Sequence, residues 1–180
     1  MVISDNEKST ISWWQTAGVI ANVKADKLQA AAYNGTILVM CGDCDRSSDM
    51  FDFVRRQLPN PRIHLKAYNG GPLRLNPEIP IPREFRAHEQ LLSGLVKTRG
   101  LKKIPTIFLL AHWPCGMASE VHMDIFQVVA NAVTTARLIA EKTGWDRKRI
   151  VPLLHVDYQI KMRTYFIRAK TPEEVYNLSP

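Results

Sequence analysis

All three cysteines of the chain lie in two short segments, and each segment follows an apolar run typical of a buried strand. Residues 41–44 read Cys-Gly-Asp-Cys after the run 36–40, and residues 112–115 read His-Trp-Pro-Cys after the run 106–110. Thiolate sulfur and imidazole nitrogen are ligands that zinc prefers in proteins. Sites in open parallel sheets form beyond the carboxyl ends of the strands. The pattern therefore predicts that Cys41, His112 and Cys115 bind one zinc ion.

The number of protein ligands decides what such a zinc ion can do. Three ligands leave a fourth position for water, whose pKa the ion lowers toward about 7, so that hydroxide forms at neutral pH. If Cys44 joins the other three residues, the site is a closed Cys3His site that only supports the fold. Cys41 and Cys44 also form a Cys-x-x-Cys pair, a spacing found in thioredoxin-like redox proteins. The residues alone leave these three alternatives open.

Strands and helices are predicted to alternate along the chain. The patterns predict one or two helices over residues 11–33, further helices over 47–58, 85–98 and 120–142, and a short last helix opening at 171–174. Strands are predicted over 36–40, 62–68, 106–110, 150–158 and 162–169, with a turn at 69–72 and a proline-rich loop over 73–82. Strands separated by helices are typical of an α/β domain with a central, mostly parallel sheet flanked by helices. We therefore expect a single domain with an N-terminal helical arm (1–34), a core (35–158) and a C-terminal strand and helix (159–180).

Composition and charge indicate which class of protein and which partners to expect. The length of 180 residues, the apolar fraction of 46% and the charged fraction of 23% are ordinary for one globular domain. The net charge of +7 comes from dispersed basic residues without interleaved aromatics, so no nucleic-acid partner is expected. The sequence shows neither a membrane-spanning stretch nor signal-peptide features, so we expect a cytoplasmic protein without a membrane partner. In that compartment disulfides are uncommon, so clustered cysteines more often bind metal or do redox work.

The two cysteine segments resemble the motifs of the β-class carbonic anhydrases, a family that includes carbonyl sulfide and carbon disulfide hydrolases. That family carries Cys-x-Asp-x-Arg after its first strand and His-x-x-Cys-Gly after a later one. Residues 41–43 match the first half of the first motif, and residues 112–116 match the second motif. Arg46 stands one position later than the family arginine. The likeness extends over residues 36–158 and includes a turn at 67–71.

The resemblance implies a function and a role for each site residue. It implies that zinc on Cys41, His112 and Cys115 hydrates carbon dioxide reversibly to bicarbonate by metal-bound hydroxide, a lyase reaction. Asp43 would orient the hydroxide, and Arg46 would pair with Asp43 and keep it off the metal. It also implies a homodimer or a higher assembly of dimers, with each site near a subunit interface.

Three alternatives accompany this interpretation. Carbonyl sulfide and carbon disulfide are isosteric with carbon dioxide, so the same site could hydrolyse either of them. If Arg46 does not reach Asp43, that carboxylate could become the fourth ligand; Cys44 is the other candidate for this position. Either ligand would give a non-catalytic protein with a closed structural zinc site. His155, within a predicted strand, is expected to be a packed or hydrogen-bonded core residue and not a ligand.

Overall fold

The computed structural model of the chain describes residues 2–43, 45–59, 62–81 and 88–177. Within these residues, the strands are β1 (Ile20–Asn22), β2 (Thr36–Cys41), β3 (Ile63–Tyr68), β4 (Thr106–Trp113), β5 (Ile150–Asp157) and β6 (Met162–Ile167). The α-helices are α1 (Asp5–Ala17), α2 (Ala25–Ala31), α3 (Ser47–Gln57), α4 (His88–Lys102), α5 (Gly116–Glu120), α6 (Ile125–Thr143) and α7 (Pro172–Asn177). Short 3-10 helices cover Gly71–Leu75 and Arg147–Arg149.

The strands form one mixed sheet in the order β1-β6-β5-β4-β2-β3. Its centre is parallel, because β2 pairs with β3 and β4, and β4 pairs with β5. β6 is antiparallel to β5, and β1 is antiparallel to β6. The predicted α/β domain with a mostly parallel sheet is therefore confirmed. No helix in the described part of the chain is both long and apolar enough to span a membrane.

The central strands β2 and β4 are buried along their whole length. Side chains alternate between the two faces of a strand. Accordingly, Leu38 and Met40 of β2 belong to one core cluster, whereas Ile37 and Val39 belong to another. A strand that packs on both faces reads as a continuous apolar run, which is why these two strands were recognisable in the sequence.

The register of the central strands positions the site. Met40 at the end of β2 lies opposite Leu110 of β4, and His112 of β4 lies opposite His155 of β5. Because β2, β4 and β5 are parallel, their carboxyl ends meet at one edge of the sheet. The residues that follow these strands therefore come together, although they are far apart in the sequence.

Two predicted helices differ from the observed elements. The segment 11–33 contains α1, which begins earlier at Asp5, then the edge strand β1, and then α2. Gly18 ends α1 with φ +80°, and pairing with β6 makes β1 a strand despite its short length. The helix predicted over 120–142 also begins at a different residue. α5 ends at Glu120, and Asp124 caps a separate helix, α6, in a capping box with Gln127.

Two further predictions concern the middle of the chain. The predicted helix over 85–98 corresponds to α4, although residues 82–87 lie outside the described part of the chain. The 3-10 helix Gly71–Leu75 spans the end of the predicted turn at 69–72 and the start of the segment 73–82, which was predicted as an irregular loop. A proline at its second residue suits the start of such a helix, because the missing N–H has no intrahelical partner there.

Candidate metal centre

Three ligand-type side chains converge at the carboxyl ends of β2 and β4. One ligand atom from each of Cys41, His112 and Cys115 lies within 4.8 Å of the other two. Cys41 is the last residue of β2, His112 is the penultimate residue of β4, and Cys115 is the N-cap of α5. The side chains are buried, with exposed fractions of 5%, 2% and 3%. Within the described residues, this group, called the donor group below, contains only these three members.

The donor group fits a soft divalent cation. Both ring nitrogens of His112 are buried without a hydrogen-bond partner among the described residues. A buried polar atom without a partner is costly, by about 1 to 3 kcal/mol. Cys41 and Cys115 are free thiols. Two sulfurs and an imidazole nitrogen within reach of one another are a zinc ligand set, and the ion would give His112 the partner that the described residues do not provide.

The two thiols of the donor group are electrostatically coupled. The pKa of Cys41 is lowered, chiefly by the hydrogen bond with Cys115, with further contributions from His112 and from the Gly70 N–H. The pKa of Cys115 is raised by the same contact and by burial. The contact between the two sulfurs therefore favours one thiolate and opposes a second. A coordinated cation removes the thiol protons, because a metal-bound thiol is deprotonated.

A glycine turn supports the Cys41 side of the donor group. The backbone N–H of Gly70 donates to the Cys41 Sγ at 3.1 Å. Gly70 and Gly71 have φ values of +82° and +52°, which favour glycine. A Cβ atom on Gly71 would lie 2.6 Å from the backbone nitrogen of Cys41. The turn predicted from Asn69-Gly70-Gly71 therefore has a second role: its backbone packs directly against the end of β2.

A group of three charged side chains lies at the same edge of the sheet. Arg46 donates from Nη1 to Asp43 Oδ2 at 3.4 Å and from Nε to Asp157 Oδ2 at 3.0 Å. Asp43, Arg46 and Asp157, called the charged trio below, have side-chain exposed fractions of 16%, 12% and 15%. Unlike the donor group, the trio is partly accessible to solvent. It combines two carboxylates with one guanidinium and so carries a formal charge of −1.

The turn after β2 explains how Arg46 reaches Asp43. The Asp43 carbonyl accepts hydrogen bonds from the backbone N–H groups of Arg46, at 3.3 Å, and Ser47, at 2.8 Å. The Asp43 side chain accepts another from the N–H of Asp45, at 2.9 Å. This tight turn brings the arginine back over the aspartate, although it stands one position later than in the family motif. Asp43 itself lies outside the donor group as that group is defined among the described residues.

Two further residues, Cys44 and Asp157, bear on the site. Cys44, the other candidate for a fourth ligand, lies outside the described residues. Asp157 was missed by the sequence reasoning, although it is the first carboxylate after the apolar segment 150–156. The signal that could have found it is the one used for Cys41 and His112, a chemically active side chain at the end of a buried strand.

His155 is a hydrogen-bonded core residue, as predicted. It is 2% exposed, and its Nδ1 lies 2.8 Å from Thr164 Oγ1 on β6. Burial is the main cause that lowers the pKa of His155 to about 4, and the neighbouring His112 adds to the effect. His155 is therefore neutral at physiological pH. It packs on the neighbouring strand beside His112 without joining the donor group.

The N-terminal helix is fastened to the same edge of the sheet. Trp113 donates from Nε1 to the carboxylate of Glu7 at 2.9 Å. The other oxygen of Glu7 accepts from Ser4 in the capping box of α1. Glu7 thus links the start of α1 to the residue that follows His112.

Comparisons with known proteins give a likeness of fold. No model of a known protein family matches the chain, and no curated protein matches it. A carbonic anhydrase from Streptococcus mutans is 13% identical, with 91% of this chain and 99% of that chain aligned at a TM-score of 0.46. The apo form of a carbon disulfide hydrolase is 8% identical, with 87% and 86% aligned at a TM-score of 0.47. At these values the likeness concerns the fold, and it assigns no reaction to this chain.

Proposed function

We propose that this chain is a zinc-dependent carbonic anhydrase that interconverts carbon dioxide and bicarbonate, with Cys41, His112 and Cys115 as the metal ligands. The observation that carries the proposal is the donor group itself, whose ligand atoms lie within 4.8 Å of one another. The unpartnered ring nitrogens of His112 support it. Zinc bound by three protein ligands supplies Lewis acidity, which lowers the pKa of a coordinated water toward about 7.

The side chains around the donor group would have distinct roles. Arg46 and the Asp45 N–H hold the Asp43 carboxylate through both of its oxygens. In the proposal, the Asp43 carboxylate accepts a hydrogen bond from the water that attacks the substrate. Arg46 restrains Asp43, so that the carboxylate orients this water instead of binding the metal. The backbone of Gly70 stabilises negative charge on the Cys41 sulfur.

The surroundings of the donor group favour a small apolar substrate. Cys41, His112 and Cys115 are 5%, 2% and 3% exposed, and Cys41 ends the fully packed strand β2. Little water reaches such a site, and a linear molecule of three atoms needs little space. Carbon dioxide, carbonyl sulfide and carbon disulfide share this shape. We propose carbon dioxide as the substrate because of the motifs in residues 41–46 and 112–116, with hydrolysis of the other two as the alternative.

Stopped-flow measurement of carbon dioxide hydration on zinc-loaded protein tests the proposal. We expect a rate well above that of buffer, lost in Cys115→Ser together with bound zinc, and strongly reduced in Asp43→Asn with zinc retained. Carbonyl sulfide and carbon disulfide should be assayed beside carbon dioxide, because faster turnover of either would reassign the substrate. Zinc-loaded protein that turns over none of the three would contradict an enzymatic function.

A closed structural zinc site is the alternative to catalysis. Its fourth ligand would be Cys44 or Asp43. Measuring zinc content in Cys44→Ser separates the first case: an open site keeps its zinc, whereas a Cys3His site loses affinity. The proposal also includes a cytoplasmic homodimer. Sedimentation equilibrium would give the mass, and a monomer at micromolar concentration would contradict that part.

A further inference from the structure

Asp157 has a place in the charged trio that the proposed function leaves unexplained. It is the last residue of β5, the strand next to β4, which carries His112. Its contact with the Arg46 Nε is 3.0 Å, shorter than the 3.4 Å contact between Arg46 and Asp43. The two carboxylates therefore contact one guanidinium through different nitrogens, and the contact with Asp157 is the shorter.

The two carboxylates are held in the same way but on different supports. Each uses one oxygen for a backbone N–H two residues further along the chain, Asp45 for Asp43 at 2.9 Å and Gln159 for Asp157 at 2.7 Å. Each uses its other oxygen for Arg46. Asp157, however, ends an eight-residue strand that is paired on both sides, and it lies opposite Met162 of β6. Asp43 lies in the turn that follows β2.

This difference in support means that Asp157 restrains Arg46, and that Arg46 in turn restrains Asp43. A side chain on a paired strand is a better fixed point than one in a turn, because pairing restricts the backbone, and Asp157 itself pairs with Met162 of β6. Arg46 is therefore held through its Nε by Asp157, and its Nη1 is thereby directed at Asp43. A guanidinium presents its donors in a rigid planar fork, so fixing one nitrogen fixes the direction of the others.

We propose that Asp157 is a positioning residue which, by holding the guanidinium of Arg46, keeps the Asp43 carboxylate off the metal bound by the donor group. The inference rests on the proposed metal site and extends it to a second carboxylate. Loss of Asp157 would leave Arg46 without its fixed point and release Asp43. The released carboxylate, two residues from Cys41, would then compete with external ligands for the fourth position.

Azide binding to cobalt(II)-loaded protein tests the inference without measuring turnover. Azide that enters an open position changes the visible absorption of cobalt, and a protein carboxylate in that position opposes it. We expect Asp157→Asn to weaken azide binding by about tenfold or more, the range found when residues that orient a metal site are changed. Asp157→Ser, a smaller neutral replacement, should weaken it at least as much.

A double variant separates positioning from a general loss of structure. In Asp43→Asn/Asp157→Asn no carboxylate remains to compete, so azide affinity should return to that of Asp43→Asn alone. Asp52→Asn is the matched control, because Asp52 also pairs with an arginine, Arg55 at 3.2 Å, but on the exposed face of α3. Its azide affinity should equal that of the unsubstituted protein.

Two outcomes would overturn the inference. One is an unchanged azide affinity in Asp157→Asn with cobalt bound. The other is a double variant as weak as Asp157→Asn, which would mean that Asp157 acts on something other than Asp43. Failure of the proposed function is a separate result, because zinc-loaded protein without carbon dioxide hydration still gives a readable azide titration.

Discussion

The donor group and the charged trio lie at the same edge of the sheet but satisfy their polar atoms in opposite ways. In the trio, each carboxylate oxygen of Asp43 and Asp157 accepts a hydrogen bond from the protein. In the donor group, His112 has no such partner on either nitrogen within the described residues, although it is 2% exposed. The trio thus satisfies its polar atoms within the protein, whereas the donor group presents ligand atoms that could hold a cation.

The largest effect is expected from substitutions that remove a ligand from the donor group. His112→Ala and Cys115→Ser each remove one of three ligands, so the zinc content should fall from about one ion per chain to a small fraction of that. Inductively coupled plasma mass spectrometry on dialysed protein measures this content. His64→Ala on β3 is the matched control, because His64 lies outside the donor group and should leave zinc unchanged. Full zinc retention in both ligand variants would rule out the site.

The glycine turn gives the next largest effect. Gly71→Ala places a Cβ atom 2.6 Å from the Cys41 nitrogen at φ +52°, so strain and overlap together should cost about 2 to 5 kcal/mol. Urea unfolding measures the loss. Gly94→Ala is the control: it lies within α4, nothing is within 4 Å of the added atom, and alanine should stabilise the helix by about 0.5 to 1 kcal/mol. Equal stabilities for the two variants would contradict the close packing of the turn.

The lowered pKa of His155 predicts that the folding stability depends on pH. Its folded pKa of about 4 lies below the ordinary value of 6.5, so the unfolded chain takes up a proton first as the pH falls. The stability that comes from neutral His155 is therefore complete above pH 6.5 and is lost as the pH falls toward 4, on the order of 3 kcal/mol in all. In His155→Gln this loss should be absent.

The measurement compares both proteins in the same metal state. Unfolding free energies from urea titrations at several pH values between 4.5 and 8 give two curves. Their difference should be constant above pH 6.5 and change below it. Parallel curves over the whole range would show that His155 does not titrate with a lowered pKa. Metal-free protein is the cleaner case, because acid also releases zinc from its ligands.

The smallest expected effect concerns the link from α1 to the site. Glu7→Ala removes the acceptor for the Trp113 Nε1 at 2.9 Å and half of the capping box, which should cost about 1 to 2 kcal/mol. Thermal unfolding measures this. Glu141→Ala is the control, because its pair with Arg137 is 3.9 Å long and exposed, and it should change stability by less than about 0.5 kcal/mol. An equal shift in both variants would mean that Glu7 makes no specific link.

The central part of the fold was accessible from the sequence because burial and periodicity coincide there. β2 and β4 are apolar throughout, since both of their faces pack, and helix α3 was predicted almost to its bounds. β1 could not be predicted in the same way. It has three residues, and it is a strand because Ile20–Asn22 pairs with β6, which comes more than a hundred residues later. Propensity gives way to such tertiary contacts.

The sequence likewise predicted one part of the candidate site and not the other. Ligand type and position after a strand predicted Cys41, His112 and Cys115 as neighbours, because parallel strands align their carboxyl ends. The sequence left the pairing of Arg46 with Asp43 undecided, because Arg46 stands one position later than the arginine of the motif that the sequence resembles. The turn after β2 decides this pairing. The position of Asp157 at the end of β5 is visible in the sequence, but its contact with Arg46 depends on the strand order, which places β5 beside β4.

The amino-acid sequence by itself determined the chemistry at hand: two thiols and an imidazole after buried strands, with an aspartate and an arginine nearby. Tertiary structure decided which of these groups meet. Strand order and register brought His112 and Cys41 together across the sheet, and the turn at residues 43–47 directed Arg46 to both carboxylates. The physical reason is that side-chain type fixes what a group can bind, whereas distances between remote residues follow from backbone pairing and packing.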